Sequence, residues 1–205
     1  MSFESHDCGL IYEPGRKGEF VHRIIYSVAS SLDGYHTDAQ GDYSWAVPDE
    51  EVISALNADA GEVSTYLYGR RMYEAMAGWE TDPAVAAQSP ESSAFATTWQ
   101  AAQKVVFSAG LPEVWTKRTR LERKLTAEAI ERARAEASGD LTVEGPTLAH
   151  SALRLGLVDV IELLLCPIIV GAGTPVLPDG LRTALSLKRE RRFGNGMVQI
   201  TYDVR

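Results

Sequence analysis

Two glycine-containing junctions, each between an apolar segment and a helix-like segment, are the places where this sequence could bind a charged ligand. They are Glu144-Gly145-Pro146-Thr147 and Gly69-Arg70-Arg71. Glycine allows close approach to the backbone, the first N–H groups of a helix favour anions, and the guanidinium fork matches phosphate oxygens. We therefore expect anion sites at both junctions, with Thr147 as a hydroxyl donor or helix cap. The alternative is a tight turn without ligand and arginines that pair with surface acids.

A polar loop with three aromatic residues is the second place where a ligand could bind. The loop GYHTDAQGDYSW contains Tyr35, Tyr43 and Trp45. It either covers a planar ligand or is a surface loop held in place by its aromatic side chains. The Pro48-Asp49-Glu50-Glu51 segment that follows is typical of a helix start, because proline suits the first turn and acids there complement the helix dipole.

The elements that must position these residues are clearest between Asp140 and Gly173. The pattern predicts a strand at Leu141 to Glu144, a helix from Thr147 to Leu155 and a strand from Val160 to Cys166. Leu148, Ala152 and Leu155 have helical spacing, and Gly156 is placed to end the helix. The second strand is apolar almost throughout, which is typical of a parallel strand covered on both faces. A strand, a helix and a parallel strand form a crossover unit, so we predict an α/β sheet.

The rest of the chain supplies further strands and helices around this unit. Strands are predicted within FVHRIIYSVASSL, VSTYLYG and KVVFS, and more weakly at residues 115–120, with a short helix in MYEAMAG. Residues 81–98 are predicted to be an irregular loop with one helical turn, and residues 167–180 a glycine- and proline-rich loop. Thr126 is expected to cap a helix that ends before Ser138-Gly139. The alternating C-terminal segment after Gly194-Asn195-Gly196 predicts an antiparallel hairpin.

Composition narrows the classes of function. A chain of 205 residues with this composition is expected to form one domain at residues 19–205, after a flexible extension at residues 1–18. The net charge of −8 argues against a nucleic-acid backbone or an anionic membrane as the main partner. No secretory signal or membrane span is visible, so the cytoplasm is the expected compartment. The four histidines lack ligand spacing, so no metal site is expected.

Several segments taken together resemble one known family. They are SVASSLDG, LYGRRMYEAM, KVVFS and LTVEGPTLAHSALRLGLVDVIELLLCPIIVGAG. In their order and spacing, over nearly all of residues 21–204, they resemble the bacterial riboflavin-biosynthesis reductase domain, the C-terminal domain of the bifunctional deaminase-reductase. The chain is most similar to stand-alone proteins of the dihydrofolate reductase family. The resemblance implies a dihydrofolate-reductase-like three-layer α/β fold, with a mostly parallel central sheet, a C-terminal antiparallel hairpin and helices on both faces.

The resemblance also implies NADPH as cofactor and hydride transfer to a small substrate. That substrate would be pterin-like or ribosylaminopyrimidinone-like, as for a 5-amino-6-(5-phosphoribosylamino)uracil reductase. The implied cofactor-binding residues are Ala29, Gly69, Arg70, Arg71, Ser108, Gly145, Pro146, Thr147 and Leu148. In this assignment the Ala29 backbone contacts the nicotinamide amide, Ser108 lies near the 2′-phosphate, and the segment from Gly145 to Leu148 wraps the diphosphate.

For the substrate, Trp45 to Glu50 resembles the W-x-x-P-x-[DE] segment of dihydrofolate reductases. Trp45, Glu50 and Asp33 are the implied substrate-binding residues, and Glu50 and Asp33 the implied catalytic ones. A half-buried carboxylate at Glu50 would hydrogen-bond an aminopyrimidine edge and assist protonation. The alternative is that the acids at residues 49–51 only favour the helix start.

Three positions depart from the family pattern. Met72 replaces a usual threonine, Ala109 a common basic residue, and Glu144 the first of two paired glycines. The first two affect the preference for NADPH over NADH, and the third places a carboxylate beside the diphosphate turn. Two other hypotheses stay open: a true dihydrofolate reductase, and a nucleotide-binding or regulatory protein that has lost hydride transfer. The resemblance also suggests a homodimer.

Overall fold

The structure, a computed structural model, describes residues 22–205. The predicted flexible extension at residues 1–18 lies outside the described residues. Within residues 22–205 the strands, in chain order, are β1 (Ile24–Ser31), β2 (Tyr35–Asp38), β3 (Val63–Gly69), β4 (Gln103–Phe107), β5 (Thr119–Glu122), β6 (Asp140–Glu144), β7 (Val160–Cys166), β8 (Gly173–Pro175), β9 (Leu185–Arg192) and β10 (Val198–Val204). The helices are α1 (Glu50–Ala60), α2 (Arg70–Met76), α3 (Gly78–Thr81), α4 (Pro83–Ala86), α5 (Pro90–Ala101), α6 (Ala127–Glu136) and α7 (Pro146–Arg154).

Eight of these strands form one twisted sheet in the order β5-β4-β3-β6-β1-β7-β10-β9. The first six in that order are mutually parallel, and β10 runs antiparallel to both β7 and β9. The predicted crossover is confirmed: β6, α7 and β7 form it, and β1 lies between the two strands. The C-terminal hairpin closes one side of the sheet, as predicted. The mostly parallel sheet with helices on both faces confirms the predicted fold class.

Alternation along β1 explains how the sheet is covered on both faces. Ile24, Tyr26 and Val28 are buried in a core with α6 and α7 on one face. On the opposite face Ala29 packs with α1 and the ends of β7, while β3 and β4 pack against α2 and α5. We call the side with α6 and α7 the first face and the other the second face. A strand between two helical layers buries both of its faces, which is why its apolar pattern is nearly continuous.

Helix starts follow the sequence signals where a side-chain cap is present. Asp49 accepts a hydrogen bond from the Val52 amide at the start of α1, and Thr126 accepts one from the Ala129 amide at the start of α6. Helix α7 begins and ends one residue earlier than predicted. Its Leu155 lies at the C-cap and is 50% exposed, so Leu153 replaces it on the buried face.

The prediction of an irregular loop at residues 81–98 was wrong. This region contains α4 and most of α5, a twelve-residue helix capped by Ser89 and started by Pro90. Its alanine-, serine- and threonine-rich sequence has no strong apolar stripe, but Trp99 is fully buried against the second face. Tertiary packing therefore stabilises a helix that periodicity alone did not reveal. The strand that was weakly predicted at residues 115–120 lies later in the chain, because β5 spans Thr119–Glu122.

Strands β2 and β8 form a separate two-stranded antiparallel sheet beside the end of β1. The prediction that residues 167–180 form a loop was therefore wrong for Gly173–Pro175, which form β8. Gly173 makes the pairing possible: its φ is +151°, and a Cβ there would lie 1.8 Å from the Thr37 carbonyl oxygen. Only glycine fits this approach, so β8 brings the segment after β7 against the segment after β1.

Among the helices of residues 22–205, none is long and apolar enough to cross a membrane.

Candidate functional site

The two glycine junctions are adjacent at the carboxyl ends of the parallel strands. Strands β3 and β6 are neighbours, with Tyr68 paired to Glu144, so the following residues Gly69 and Gly145 lie side by side. A Cβ placed on Gly145 would lie 3.5 Å from the Met72 Cβ, and one on Gly69 would lie 3.9 Å from the Leu148 Cβ. We call these junctions the glycine corners. Their convergence creates one continuous surface at this sheet edge, where open α/β sheets bind ligands.

The start of α7 presents backbone N–H groups at this surface. Gly145, with φ +87°, is its N-cap, and no side chain accepts a hydrogen bond from the first turn. By contrast, α1, α5 and α6 each have a side-chain cap. Thr147 is exposed and does not cap the helix, while Pro146 and Leu148 are buried. The first turn of α7 is thus suited to an anionic ligand.

Two guanidinium groups lie at the start of α2, beside the glycine corners. Arg70 and Arg71 are both exposed. The Arg70 Nε donates a 2.7 Å hydrogen bond to the Glu74 carboxylate. Ser108 follows β4, the next strand along this edge, and its hydroxyl accepts a hydrogen bond from the Leu111 amide. The structure therefore brings all the implied phosphate-binding residues to one edge of the sheet.

The end of β1 is joined to the loop after β7 through Asp33. One Asp33 oxygen accepts from the Ser31 hydroxyl and the Val170 amide, and the other accepts from the Gly171 amide at 2.7 Å. These hydrogen bonds, led by that of Ser31, lower the pKa of Asp33. The Asp33 side chain thus anchors the loop. Nearby, the Ala29 carbonyl lies 3.2 Å from the His36 Nδ1 atom.

Trp45 and Glu50 occupy different environments on the second face. Trp45 packs against the apolar cluster that contains Leu164 and Cys166, as Ala29 does, and its indole Nε1 is buried with no hydrogen-bond partner among the described residues. Glu50 is the exposed first residue of α1 and is not among the residues that line the cavity described next. The structure brings Trp45 to the end of β1 but leaves the Glu50 carboxylate at the surface.

A cavity of about 500 Å³ lies on the second face, between the sheet and helices α1 and α5. Its floor is unusually polar for the middle of a sheet. Strand pairing aligns five side chains across it, and Ser27 lies next to Glu144 because Tyr26 pairs with Val143. We call Glu144, Ser27, Glu162, Thr201 and Arg189 the polar row. The side chains that these strands place on the first face are apolar, so the polar row belongs to the second face alone.

Glu144 is the most perturbed acid in the cavity. Burial raises its pKa from 4.5 to about 7, and no hydrogen bond or cation of the described residues offsets the effect. The hydroxyls of Tyr66 and Thr142, which also line the cavity, have no hydrogen-bond partner within residues 22–205. The Glu144 carboxylate in turn raises the pKa of Tyr66 and Tyr68, after burial itself. This end of the cavity therefore holds one proton-exchanging acid and two hydroxyls able to bind a ligand.

The other end of the cavity is a compact ion network. Arg189 donates to both Asp59 oxygens at 3.0 Å and to Glu162 at 3.2 Å. Ser27 and Thr201 each donate a 3.3 Å hydrogen bond to Glu162, and Gln199 donates to Asp59 at 2.9 Å. Burial acts to raise the pKa of Asp59, but the hydrogen bonds from Arg189 and Gln199, together with the arginine charges, outweigh it and lower the pKa. We call the group Asp59, Arg189 and Glu162 the arginine clamp.

Sequence reasoning missed Glu144 and Glu162 as cavity residues. It treated Glu144 as a departure beside the diphosphate turn, whereas the side chain lies within the cavity below that turn. A signal was present: β6 alternates Leu141 and Val143 with Thr142 and Glu144, and Glu162 interrupts an otherwise apolar strand. Alternation in a strand covered on both faces predicts one polar buried face.

Comparison with known proteins gives the same fold and one family. A family model described as the RibD C-terminal domain matches residues 22–199. Uncharacterized protein YyaP of Bacillus subtilis (strain 168) is 26% identical over 186 residues, 88% of this chain and 94% of that protein. A putative riboflavin biosynthesis protein from Shewanella sp. PV-4 has a TM-score of 0.71 at 20% identity, covering 89% of this chain and 99% of the other. Dihydrofolate reductase from Enterococcus faecalis complexed with NADP(H) has a TM-score of 0.55 at 12% identity, covering 91% and 98%. The predicted resemblance is confirmed.

Proposed function

Since the chain belongs to the RibD C-terminal domain family, whose model matches residues 22–199, we propose that it is an NADPH-dependent reductase. Its substrate would be a pterin-like or ribosylaminopyrimidinone-like ring, reduced as by a 5-amino-6-(5-phosphoribosylamino)uracil reductase. The family and the fold support a reductase of the riboflavin-biosynthesis or dihydrofolate reductase type. The convergence of the two glycine corners is the observation that carries the proposal, because a single extended diphosphate can contact both.

The glycine corners fit a dinucleotide. Gly145 has a φ of +87°, a backbone conformation that residues with a side chain rarely adopt, so glycine is favoured at this corner. The first N–H groups of α7 would hold the diphosphate, with the Thr147 hydroxyl beside them. Arg70 and Arg71 would bind the phosphate on the adenosine ribose, with Ser108 nearby. The Arg70 bond to Glu74 uses Nε, so its terminal nitrogens can still bind phosphate. The fold neighbour from Enterococcus faecalis, solved with NADP(H), supports this choice of cofactor.

The end of β1 would hold the reactive ring. When bound, NADPH would supply the hydride. The Ala29 backbone would contact the nicotinamide amide. Asp33 would act by positioning, because its carboxylate fixes the loop of Val170 and Gly171 against β1. Trp45, which packs against the same apolar cluster as Ala29, would contact the substrate ring at the end of β1.

Glu144 is the acid that the cavity offers to the substrate. A carboxyl with a pKa of about 7 exists in both protonation states at neutral pH, which suits a general acid. The Thr142 hydroxyl lies on the same strand as Glu144, and the Tyr66 hydroxyl lies on the adjacent strand β3. Both would hydrogen-bond the edge of the substrate ring beside Glu144. We therefore propose Glu144 for the protonating role that the family resemblance had implied for Glu50.

Spectroscopic titration with NADPH and NADH tests the cofactor assignment. R70A should weaken NADPH binding more than NADH binding, because only NADPH carries a 2′-phosphate. R154A is the matched control: it removes an exposed arginine at the far end of α7, about 14 Å from Gly145 by helix rise. Equal losses for both cofactors would contradict the 2′-phosphate role. Saturable binding without oxidation across pterins, the ribosylaminopyrimidinone and small carbonyls would instead favour a non-catalytic nucleotide-binding protein.

We also propose that the reductase is a homodimer. Strand β9 forms one edge of the large sheet, and its Leu185 and Leu187 side chains are 39% and 58% exposed. An edge strand with exposed leucines is suited to pairing with a second copy. Light scattering would give the mass, and a monomer at micromolar concentration would refute this part.

A further inference from the structure

The charged residues that line the cavity are nearly balanced. The acids are Asp59, Glu62, Glu144 and Glu162, and the bases are Arg23, Lys188 and Arg189. A pocket built to hold a phosphate presents guanidinium or ammonium groups whose terminal nitrogens are free to donate to it. The partners of the three bases therefore decide whether this cavity accepts a phosphorylated substrate.

Each of the three bases already has an acidic partner. Arg23 donates from Nε to Asp140 at 2.9 Å and is bound there through its terminal nitrogen as well. Lys188 lies 3.7 Å from an Asp203 oxygen at the sheet surface. Arg189 donates to the two acids of the arginine clamp, Asp59 and Glu162. Among the residues that line the cavity and are described here, no cation is left without an acid within 4 Å.

Arg189 cannot turn to a phosphate without a cost. Its departure would leave Asp59 and Glu162 as two acids on neighbouring elements, with only neutral donors and the more distant Arg191, 3.7 Å from Asp59, to compensate them. Uncompensated charges in a partly buried site are strongly unfavourable. The clamp thus fixes the cation in place and lines the cavity with its acids.

The groups that lack partners lie at the other end and would bind N–H and ring nitrogen atoms. The Glu144 carboxylate, the Tyr66 hydroxyl and the Thr142 hydroxyl come from adjacent strands β3 and β6, with Tyr66 paired to Thr142. A carboxylate and two hydroxyls match an amino-substituted ring edge, in which an N–H group and a ring nitrogen lie side by side. A phosphate ester at the same end would face a carboxylate instead.

We propose that the substrate is an amino-substituted heterocycle without a phosphate group, and that the arginine clamp is the specificity-determining device that rejects phosphorylated rings. This inference rests on the proposed reductase function and narrows its substrate. It selects the pterin-like ring over the phosphoribosyl pyrimidine. Asp59 and Glu162 are positioning residues in this scheme, because they act on the ligand through Arg189.

Calorimetric titration with a matched pair of probes tests the proposal. The probes are 6-hydroxymethylpterin and its phosphate ester, each added to the NADPH-saturated protein. We expect the unphosphorylated probe to bind about tenfold more tightly or better. In a D59N/E162Q variant, Arg189 is released, and the ratio of the two affinities should shift toward the ester by about tenfold. E162Q alone, which removes one of the two acids, should shift it in the same direction and serves if the double variant does not fold.

E190Q is the control, because it removes an exposed acid next to Arg189 in sequence that does not line the cavity, and it leaves the clamp intact; the ratio should stay as in the parent protein. The proposal is overturned if the parent protein binds the ester as tightly as the free alcohol, or if releasing Arg189 leaves the ratio unchanged. Failure of both probes to bind while NADPH still binds also overturns it and leaves the reductase proposal standing. Absence of NADPH binding would instead refute the proposed function itself.

Discussion

Replacement of Glu144 by glutamine should change how the stability of this protein depends on pH. Glu144 lies in the polar row, and burial is the one cause of its raised pKa. Folding therefore favours the protonated acid. The amide of E144Q has nearly the same shape and cannot ionise, so it reports the cost of burying the charge.

The size and sign of the effect follow from the raised pKa. The rise from 4.5 to about 7 corresponds to about 3 kcal/mol, at about 1.4 kcal/mol per pKa unit. Between these two pH values the folded state keeps a proton that the unfolded state releases, so raising the pH lowers the free energy of unfolding. The loss is absent below pH 4.5 and complete above pH 7. E144Q does not undergo this loss. Its free energy of unfolding, relative to that of the parent protein, should therefore rise by about 3 kcal/mol from pH 4.5 to pH 8.

Urea denaturation of the ligand-free proteins at pH 4.5, 6 and 8, followed by tryptophan fluorescence, measures this difference. E50Q is the control, because it removes an exposed carboxylate at the start of α1. A constant offset between E144Q and the parent protein across this pH range would refute the reasoning. It would mean that the Glu144 carboxylate is solvated or paired in the folded state.

Three further substitutions test how the site is held together. G173A places a Cβ 1.8 Å from the Thr37 carbonyl oxygen and should cost about 2 kcal/mol or more in thermal unfolding; G110A, with nothing within 4 Å of its added Cβ, is the control. D33N should speed hydrogen exchange at the two loop amides that its carboxylate now binds, and unchanged exchange would show that the anchor is dispensable. Because hydrogen bonds lower the pKa of Asp33, this anchoring is present at neutral pH and is lost as the pH falls through that lowered value. Y73F removes the acceptor of two backbone amides and the partner of one hydroxyl, so urea denaturation should show a loss of about 1–3 kcal/mol, and a neutral result would mean that water replaces the phenol.

Most of the fold could be predicted because its elements have strong local signals. The crossover of β6, α7 and β7 combines an apolar strand, a helical period and a glycine at each end of the helix, with Gly145 and Gly156 both at positive φ. Helix α5 could not be predicted in this way. Its buried contact depends mainly on Trp99, which packs on Tyr68 from a distant strand and donates a 2.8 Å hydrogen bond to it.

The candidate site, like the fold, could be predicted from the sequence only in part. The glycine corners were predicted because a strand, a glycine and a helix start are consecutive in sequence, and parallel strands bring such junctions to one edge. The cavity was not predicted. Glu144, Ser27 and Glu162 are far apart in the chain and become neighbours only through the register of three strands.

The sequence by itself determined the crossover of β6, α7 and β7, the C-terminal hairpin, the two glycine corners and the family, since each depends on residues that are close along the chain or on a pattern of such segments. Only the tertiary structure decided which acid enters the cavity and which cation is neutralised. Those properties depend on strand register and on the burial of charge. A displacement of one residue would move Glu144 to the opposite face, and the arginine clamp forms only when α1, β7 and β9 pack together.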